Sequence, residues 1–378
     1  MQKGFPMKTL RPFIFSSHSF FIFFLTTAFC LSAAVFAGSA DAKSSDARPA
    51  DGPAPKGWNA EVKTIHYRVE ADQSWQPALF YVPESVRESQ EAVPLIVGLH
   101  TWSGGYTQAN PYFYEGAKKY GWVMICPHFR GPNWTPSACG SELVSADILA
   151  AVEYAKANAN IDPDRIYLMG MSGGGHCSML MAGRHPEVWA GVCAWVGISD
   201  LAKWHASTKA KGFNYWKHLE SACGGAPGTS AEVDEEYRKR SPLTYLKNAG
   251  SVPLCLNHGI HDGHAGSVPA AHSIWAFNLL AEPEKKVSDA QIDFIWRTQT
   301  IPEELLPEAQ NDPQYGKQKV LFRRTSGNTR LTIFDGGHSG VPMAGFAWLA
   351  KQKRNQPADW TVGSPTDVKE NQEVHSGK

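Results

Sequence analysis

Gly170-Met171-Ser172-Gly173-Gly174 fits G-x-S-x-G, a spacing that presents a hydroxyl nucleophile between glycines. The string closes the apolar run RIYLMGM and opens GGGHCSMLMAGRH, where Cys177, Leu180 and Met181 recur at helical spacing. A strand, a sharp turn and a helix in that order push the serine side chain clear of the backbone, and only glycines fit around so strained a turn. The helix N-terminus aims free N–H groups at any negative charge that develops beside the hydroxyl. The chemistry implied is acyl transfer through a covalent serine intermediate.

A serine hydroxyl is a weak nucleophile at neutral pH and needs a base within hydrogen-bond reach, itself oriented by a carboxylate. Both are expected after Ser172, at strand ends, in the order serine, acid, histidine. His338, in RLTIFDGGHSG, follows the last apolar strand and is the candidate base. His176 lies one helical turn beyond Ser172 and is assigned to the pocket lining. Three carboxylates compete for the orienting role: Asp262, just past VPLCLNHG, is favoured over Asp335 and Asp200. His258, His261 and His264 surround it, but their i, i+3, i+6 spacing matches no ligand pattern, so neither metal nor cofactor is predicted.

An oxyanion needs two preorganised N–H groups. Gly173 is expected to supply one, and the loop His100-Thr101-Trp102-Ser103-Gly104-Gly105 the other, with Trp102 favoured and Thr101 the alternative. His128, Arg130 and Trp134, in PHFRGPNW, are candidate substrate-binding residues on the same rim.

These groups require a frame. VPLIVGLH (93–100), GWVMIC (121–126), RIYLMGM (165–171), WAGVCAWVG (189–197) and VPLCLNHG (252–259) are apolar without alternation, as strands buried on both faces are. Between the second and third, Ile148, Ala151, Val152 and Ala155 form a helical stripe over 145–157. The alternation predicts an α/β fold with a mostly parallel central sheet and helices on both faces. A long stretch, 200–250, is expected as a lid-like insertion after the strand ending near Gly197. Residues 283–318 read as polar and Pro-punctuated, and VLFRR and RLTIF flank a hairpin turn.

Ahead of this, Lys3, Lys8 and Arg11 precede an uncharged run from Phe13 to Ala40 that ends in Ala40-x-Ala42, the order of a secretory signal. Residues 1–42 are therefore expected to be a cleaved signal peptide, an uncleaved anchor being the alternative because the run is long. The expected organisation continues with a Pro/Gly/Ala/Ser linker (43–57), the α/β domain (58–354) and a C-terminal tail (355–378). A secreted or periplasmic protein with no membrane contact after cleavage is the expectation. In an oxidising compartment, Cys139 and Cys223, each in a Ser-Ala-Cys-Gly loop, are the one pair expected to form a disulfide, while Cys126, Cys177, Cys193 and Cys255 lie in or beside apolar runs and are expected free. The 378 residues carry 36 Lys+Arg against 36 Asp+Glu, with no basic concentration, which excludes the electrostatic footprint of a nucleic-acid binder.

With GMSGGG, HDGHAGSVP and DGGHSG, the chain from about Trp58 to Arg354 resembles α/β-hydrolases of the prolyl-oligopeptidase-like group, close to secreted bacterial esterases related to dienelactone hydrolase and feruloyl esterase. The resemblance implies an α/β-hydrolase fold with nucleophile, acid and base at Ser172, Asp262 and His338. His100-Thr101 departs from the His-Gly usual at the oxyanion loop, and no stretch between Ala42 and the first core strands is long enough for the propeller of true prolyl oligopeptidases. The expected activity is hydrolysis of small-molecule or polysaccharide esters. Peptidase action, and a non-catalytic binding module on the same scaffold, are the alternatives.

Overall fold

In the structure, a computed structural model, residues 47–88 and 91–362 are described. The expected signal segment 1–42, residues 43–46 of the linker and residues 363–378 of the tail lie outside the described residues.

The apolar runs become the middle of a ten-stranded sheet: β1 (Gly52–Pro53), β2 (Lys63–Val69), β3 (Ser74–Tyr81), β4 (Val93–Leu99), β5 (Val123–Pro127), β6 (Ile161–Met171), β7 (Gly191–Trp195), β8 (Leu254–Gly259), β9 (Val320–Ser326) and β10 (Thr329–Phe334). Their spatial order is β1-β2-β3-β5-β4-β6-β7-β8-β10-β9. From β5 to β10 every neighbouring pair is parallel. The edges, β1-β2-β3-β5 and β10-β9, are antiparallel, the latter being the expected hairpin.

Among the described residues ten α-helices accompany the sheet: α1 (Glu84–Glu88), α2 (Tyr112–Tyr120), α3 (Glu142–Asn158), α4 (Gly173–Arg184), α5 (Leu201–Ala210), α6 (Tyr215–Cys223), α7 (Ala231–Arg240), α8 (Ala271–Leu280), α9 (Asp289–Thr298) and α10 (Pro342–Leu349). Strand alternation divides the core between two faces. Leu95, Val97, Ile166 and Leu168 pack with α3, α4 and α8, whereas Ile96, Tyr167 and Met169 pack with α2 and α10. Helix α3 starts three residues before the apolar stripe because Ser141 caps it, its side chain accepting the Val144 N–H.

Three stretches differ from their expected character. Gly52–Pro53, inside the expected linker, pair with β2. In the expected tail, Trp360 stacks on Trp348 of α10 at 5.3 Å and donates its indole N–H to the Gly327 carbonyl. Helix α9 stands in the polar stretch, opened by a capping box of Ser288 and Gln291. The insertion forms α5, α6 and α7, and packs Trp204, Leu219 and Tyr237 against Trp102, Cys139 and Val268.

Candidate active site

Four loops at the C-terminal ends of the parallel strands converge, the position that open α/β sheets use for ligands. After β6 the chain turns so sharply that Ser172 adopts φ 59° and ψ −116°, a conformation that L side chains rarely take, before α4 begins. The Ser172 N–H donates to the Trp195 carbonyl at 2.9 Å and anchors the turn to β7. Glycines are required there: a Cβ on Gly170 would come within 2.4 Å of the Gly174 backbone, and one on Gly174 within 2.6 Å of the Leu99 carbonyl oxygen.

His338 follows β10, with Nε2 2.8 Å from Ser172 Oγ and Nδ1 2.6 Å from Asp262 Oδ2. Asp262 follows β8 and is 1% exposed, while its Oδ1 accepts the N–H groups of Gly263 (2.8 Å) and Val268 (3.1 Å). Burial alone would raise this carboxyl, but hydrogen bonds from His258 and His338 outweigh it and hold the group down to about 2. It is therefore a carboxylate at neutral pH, and the imidazole that donates Nδ1–H to it presents a bare Nε2 to the serine hydroxyl. The competing acids are engaged elsewhere. Asp200 caps α5 by accepting the Lys203 N–H, and the exposed Asp335 contacts His261 Nε2 at 3.2 Å.

As the first residue of α4, Gly173 has an N–H with no intrahelical acceptor, and a Cβ there would meet the Trp102 nitrogen at 2.4 Å. The Thr101 N–H donates to Gln108 Oε1 at 2.9 Å, which removes it as a donor. Among the described residues no acceptor takes the Trp102 N–H. The Trp102 carbonyl is held by the backbone and side-chain N–H groups of Asn133 at 2.9 and 3.1 Å. Gly173 and Trp102 thus offer adjacent N–H donors beside the hydroxyl.

The structure does not bring the remaining candidates together at this point. His176 is buried, its Nε2 bound to the Arg240 carbonyl at 2.8 Å, and burial pushes its pKa down to about 4, so it supports the insertion rather than lining a pocket. Arg130 is likewise corrected, because its guanidinium is spent on Asp147, Asp72 and Ser74. His128 is half-buried, its ring 6.0 Å from that of His100, with burial lowering its pKa and Arg130 adding to the effect. Trp134 is 38% exposed, its ring 5.0 Å from His218. Trp102 and Trp204 bury their rings against one another at 4.7 Å. A cavity of about 530 Å³ between α5 and α7, lined by Asp200, Ala202, Tyr237 and Ser241, holds none of the converging groups, so the site rests on geometry and not on volume.

The expected disulfide is also corrected: Cys139 and Cys223 are both free and buried. They sit in one apolar cluster with Trp204 and Tyr237, where burial pushes both thiols up, Cys223 to about 12. The tie between the loop before α3 and the insertion is made instead by Arg240, which donates to the carbonyls of Pro136 and Ala138 and to Glu236. The three histidines around Asp262 share no common point: His258 meets Ser273, Val268 and Asp262 itself, His261 meets Gln299 and Asp335, and His264 meets Trp296.

Residues 139–294 match the prolyl oligopeptidase family. Feruloyl esterase B of Neurospora crassa is 32% identical over 132 residues, 32% of this chain and 43% of that protein. Acetylxylan esterase A of Emericella nidulans is 26% identical over 194 residues (48% and 60%), and dipeptidyl-peptidase 5 of Porphyromonas gingivalis 26% over 218 (54% and 28%). The chain spans about half the length of the first curated relatives it matches. Among solved structures, an acylaminoacyl peptidase in complex with Z-Gly-Gly-Phe-chloromethyl ketone superposes with a TM-score of 0.54 at 19% identity, covering 82% of this chain and 44% of that one, which shows the α/β-hydrolase fold.

Proposed function

We propose that this chain, a serine hydrolase of the prolyl-oligopeptidase-like α/β-hydrolase group, cleaves carboxylic esters through an acyl-enzyme on Ser172. The observation that carries the reading is the unbroken contact from Ser172 Oγ through His338 to the buried Asp262, at 2.8 and 2.6 Å. Ser172 Oγ attacks the ester carbonyl as His338 Nε2 takes its proton, and Asp262 stabilises the imidazolium. The N–H groups of Gly173 and Trp102 receive the oxyanion. His338 returns the proton to the departing alkoxide, and a water activated by the same imidazole then releases the acid.

Esters are favoured over peptides because an alkoxide leaves more readily than an amine and demands less clamping of the substrate. The exposed ring of Trp134, next in sequence to the Asn133 that holds the Trp102 carbonyl, offers a flat apolar face suited to a sugar ring or an aromatic acyl group. The esterases among the relatives support this class, and acyl groups on polysaccharide are its natural extension. The N-terminal signal pattern supports export, and no helix among the described residues is long and apolar enough to cross a membrane. A peptidase is the second reading, supported by the dipeptidyl-peptidase among the relatives. Purified protein should hydrolyse short-chain p-nitrophenyl esters, with proline p-nitroanilides far poorer. A higher kcat/KM on peptide anilides than on every ester tried would replace the first reading with the second.

A further inference from the structure

Beside Asp262 stands a histidine that this mechanism does not use. His258 lies near the end of β8, is wholly buried, and has a partner at each ring nitrogen. Nδ1 is 2.7 Å from Ser273 Oγ on α8, while Nε2 is 3.0 Å from the Val268 carbonyl oxygen and 3.3 Å from Asp262 Oδ2. A carbonyl and a carboxylate only accept, so Nε2 carries the hydrogen; the Ser273 hydroxyl, able to act either way, donates to Nδ1. An imidazole with its hydrogen on Nε2 satisfies every one of these partners.

The oxygen that His258 reaches is the one that accepts His338 Nδ1–H. Oδ1 is occupied separately by the N–H groups of Gly263 and Val268. Val268 is therefore bound twice, through its N–H to Asp262 and its carbonyl to His258, which closes a small ring of hydrogen bonds around the carboxylate. Two other titratable groups pack here: Lys211 donates to the Gly263 carbonyl, where burial lowers it against the pull of Asp262, and His272 on α8 is taken up by Ser199, where burial, reinforced by His258 and Lys203, pushes it down to about 3. Of the hydrogen bonds that lower the Asp262 carboxyl against burial, that from His258 is the largest.

We propose that His258 is a positioning residue: its Nε2, bonded to the Val268 carbonyl and 3.3 Å from Asp262 Oδ2, holds that oxygen where it meets His338 Nδ1–H, and so keeps the catalytic imidazole in the tautomer and orientation that the base requires. The inference rests on the reading of Ser172, His338 and Asp262 as the reacting groups.

Its test is ester kinetics across pH on the full chain, with a short-chain p-nitrophenyl ester. His258→Leu should lower kcat by about 10- to 100-fold with KM within about threefold. It should also move the acid limb of kcat/KM to higher pH, because an Asp262 carboxylate with one donor fewer binds the imidazolium that forms beside it more tightly. The double variant with Asp262→Asn should be within about threefold of Asp262→Asn alone, since His258 acts through that carboxylate. His258→Gln, which retains an N–H donor, should restore part of the rate. A wild-type rate in His258→Leu, or fully multiplicative losses with an unmoved acid limb, would overturn the proposal. If His258→Leu does not fold, His258→Gln and Ser273→Ala carry the test: a displaced acid limb in either supports it, and wild-type profiles in both overturn it. Full activity in Ser172→Ala or Asp262→Asn would instead sink the underlying triad, whereas loss in those variants beside a normal His258→Leu sinks this inference alone.

Discussion

Two buried aspartates, Asp262 and Asp147, hold their charge by different means. Asp147, on α3, has no exposed side-chain surface and faces the Arg130 guanidinium through Nε at 2.8 Å and Nη2 at 2.9 Å. Burial pushes it up to about 6 even against that guanidinium, whose remaining N–H groups serve Asp72 at 2.7 Å and Ser74 at 3.0 Å. Asp72, much less buried and bound to the same arginine, is drawn down to about 2, so the guanidinium stays charged and Asp147 carries the cost of desolvation. Asp262 is as deeply enclosed yet falls to about 2, because His258 and His338 outweigh its burial, while two backbone N–H groups hold its other oxygen. Around Arg130 four hydrogen bonds end on other groups of the protein, which makes a scaffold. From Asp262 the contacts run outward to an imidazole 26% exposed and a hydroxyl, which makes a site.

Substitutions can break that contrast. Asp262→Asn should lower kcat by up to about 10⁴, through the wrong imidazole tautomer, while Asp335→Asn stays near wild type; a crippled Asp335→Asn beside a normal Asp262→Asn would reverse the assignment. Arg130→Met should act on stability instead. It strands Asp147 as an uncompensated buried charge, costs about 3 to 5 kcal/mol in urea unfolding, and leaves kcat of the folded fraction within a few-fold. A large loss of kcat at unchanged stability would place Arg130 in the site after all. The smallest effect concerns acid. Because the Asp262 pKa is depressed on folding, its stabilisation, about 2 kcal/mol, is complete above about pH 4 and lost as pH falls towards 2. Unfolding curves across that window should converge for wild type and Asp262→Asn, and curves that stay parallel would contradict it.

The two regions also differ in what the sequence reveals. That Ser172, His338 and Asp262 come together is legible because strand ends fix where such groups stand, and G-x-S-x-G marks a turn that few other sequences can make. Arg130 misleads because Asp72, one of its partners, lies on the turn between β2 and β3, and residue type alone cannot say whether a guanidinium faces substrate or another loop. The strands that carry that turn are nevertheless readable: in KTIHYRV, Ile65, Tyr67 and Val69 alternate inward, the two-residue period of a half-buried strand. Helix α9 carried a signal too, the Ser288-Asp-Ala-Gln291 capping box. His258 resisted because it is one of three closely spaced histidines that invite a metal reading, and two of its partners, Ser273 and Val268, are set by how the chain folds back over β8.

The most direct test of the central claim is covalent labelling. Purified protein treated with a fluorophosphonate probe should gain one adduct, mapped by peptide mass spectrometry to Ser172, with ester hydrolysis lost in step, and Ser172→Ala should take no label and lose turnover by several orders of magnitude. Labelling that persists in Ser172→Ala, or full ester turnover in the labelled protein, would contradict the account.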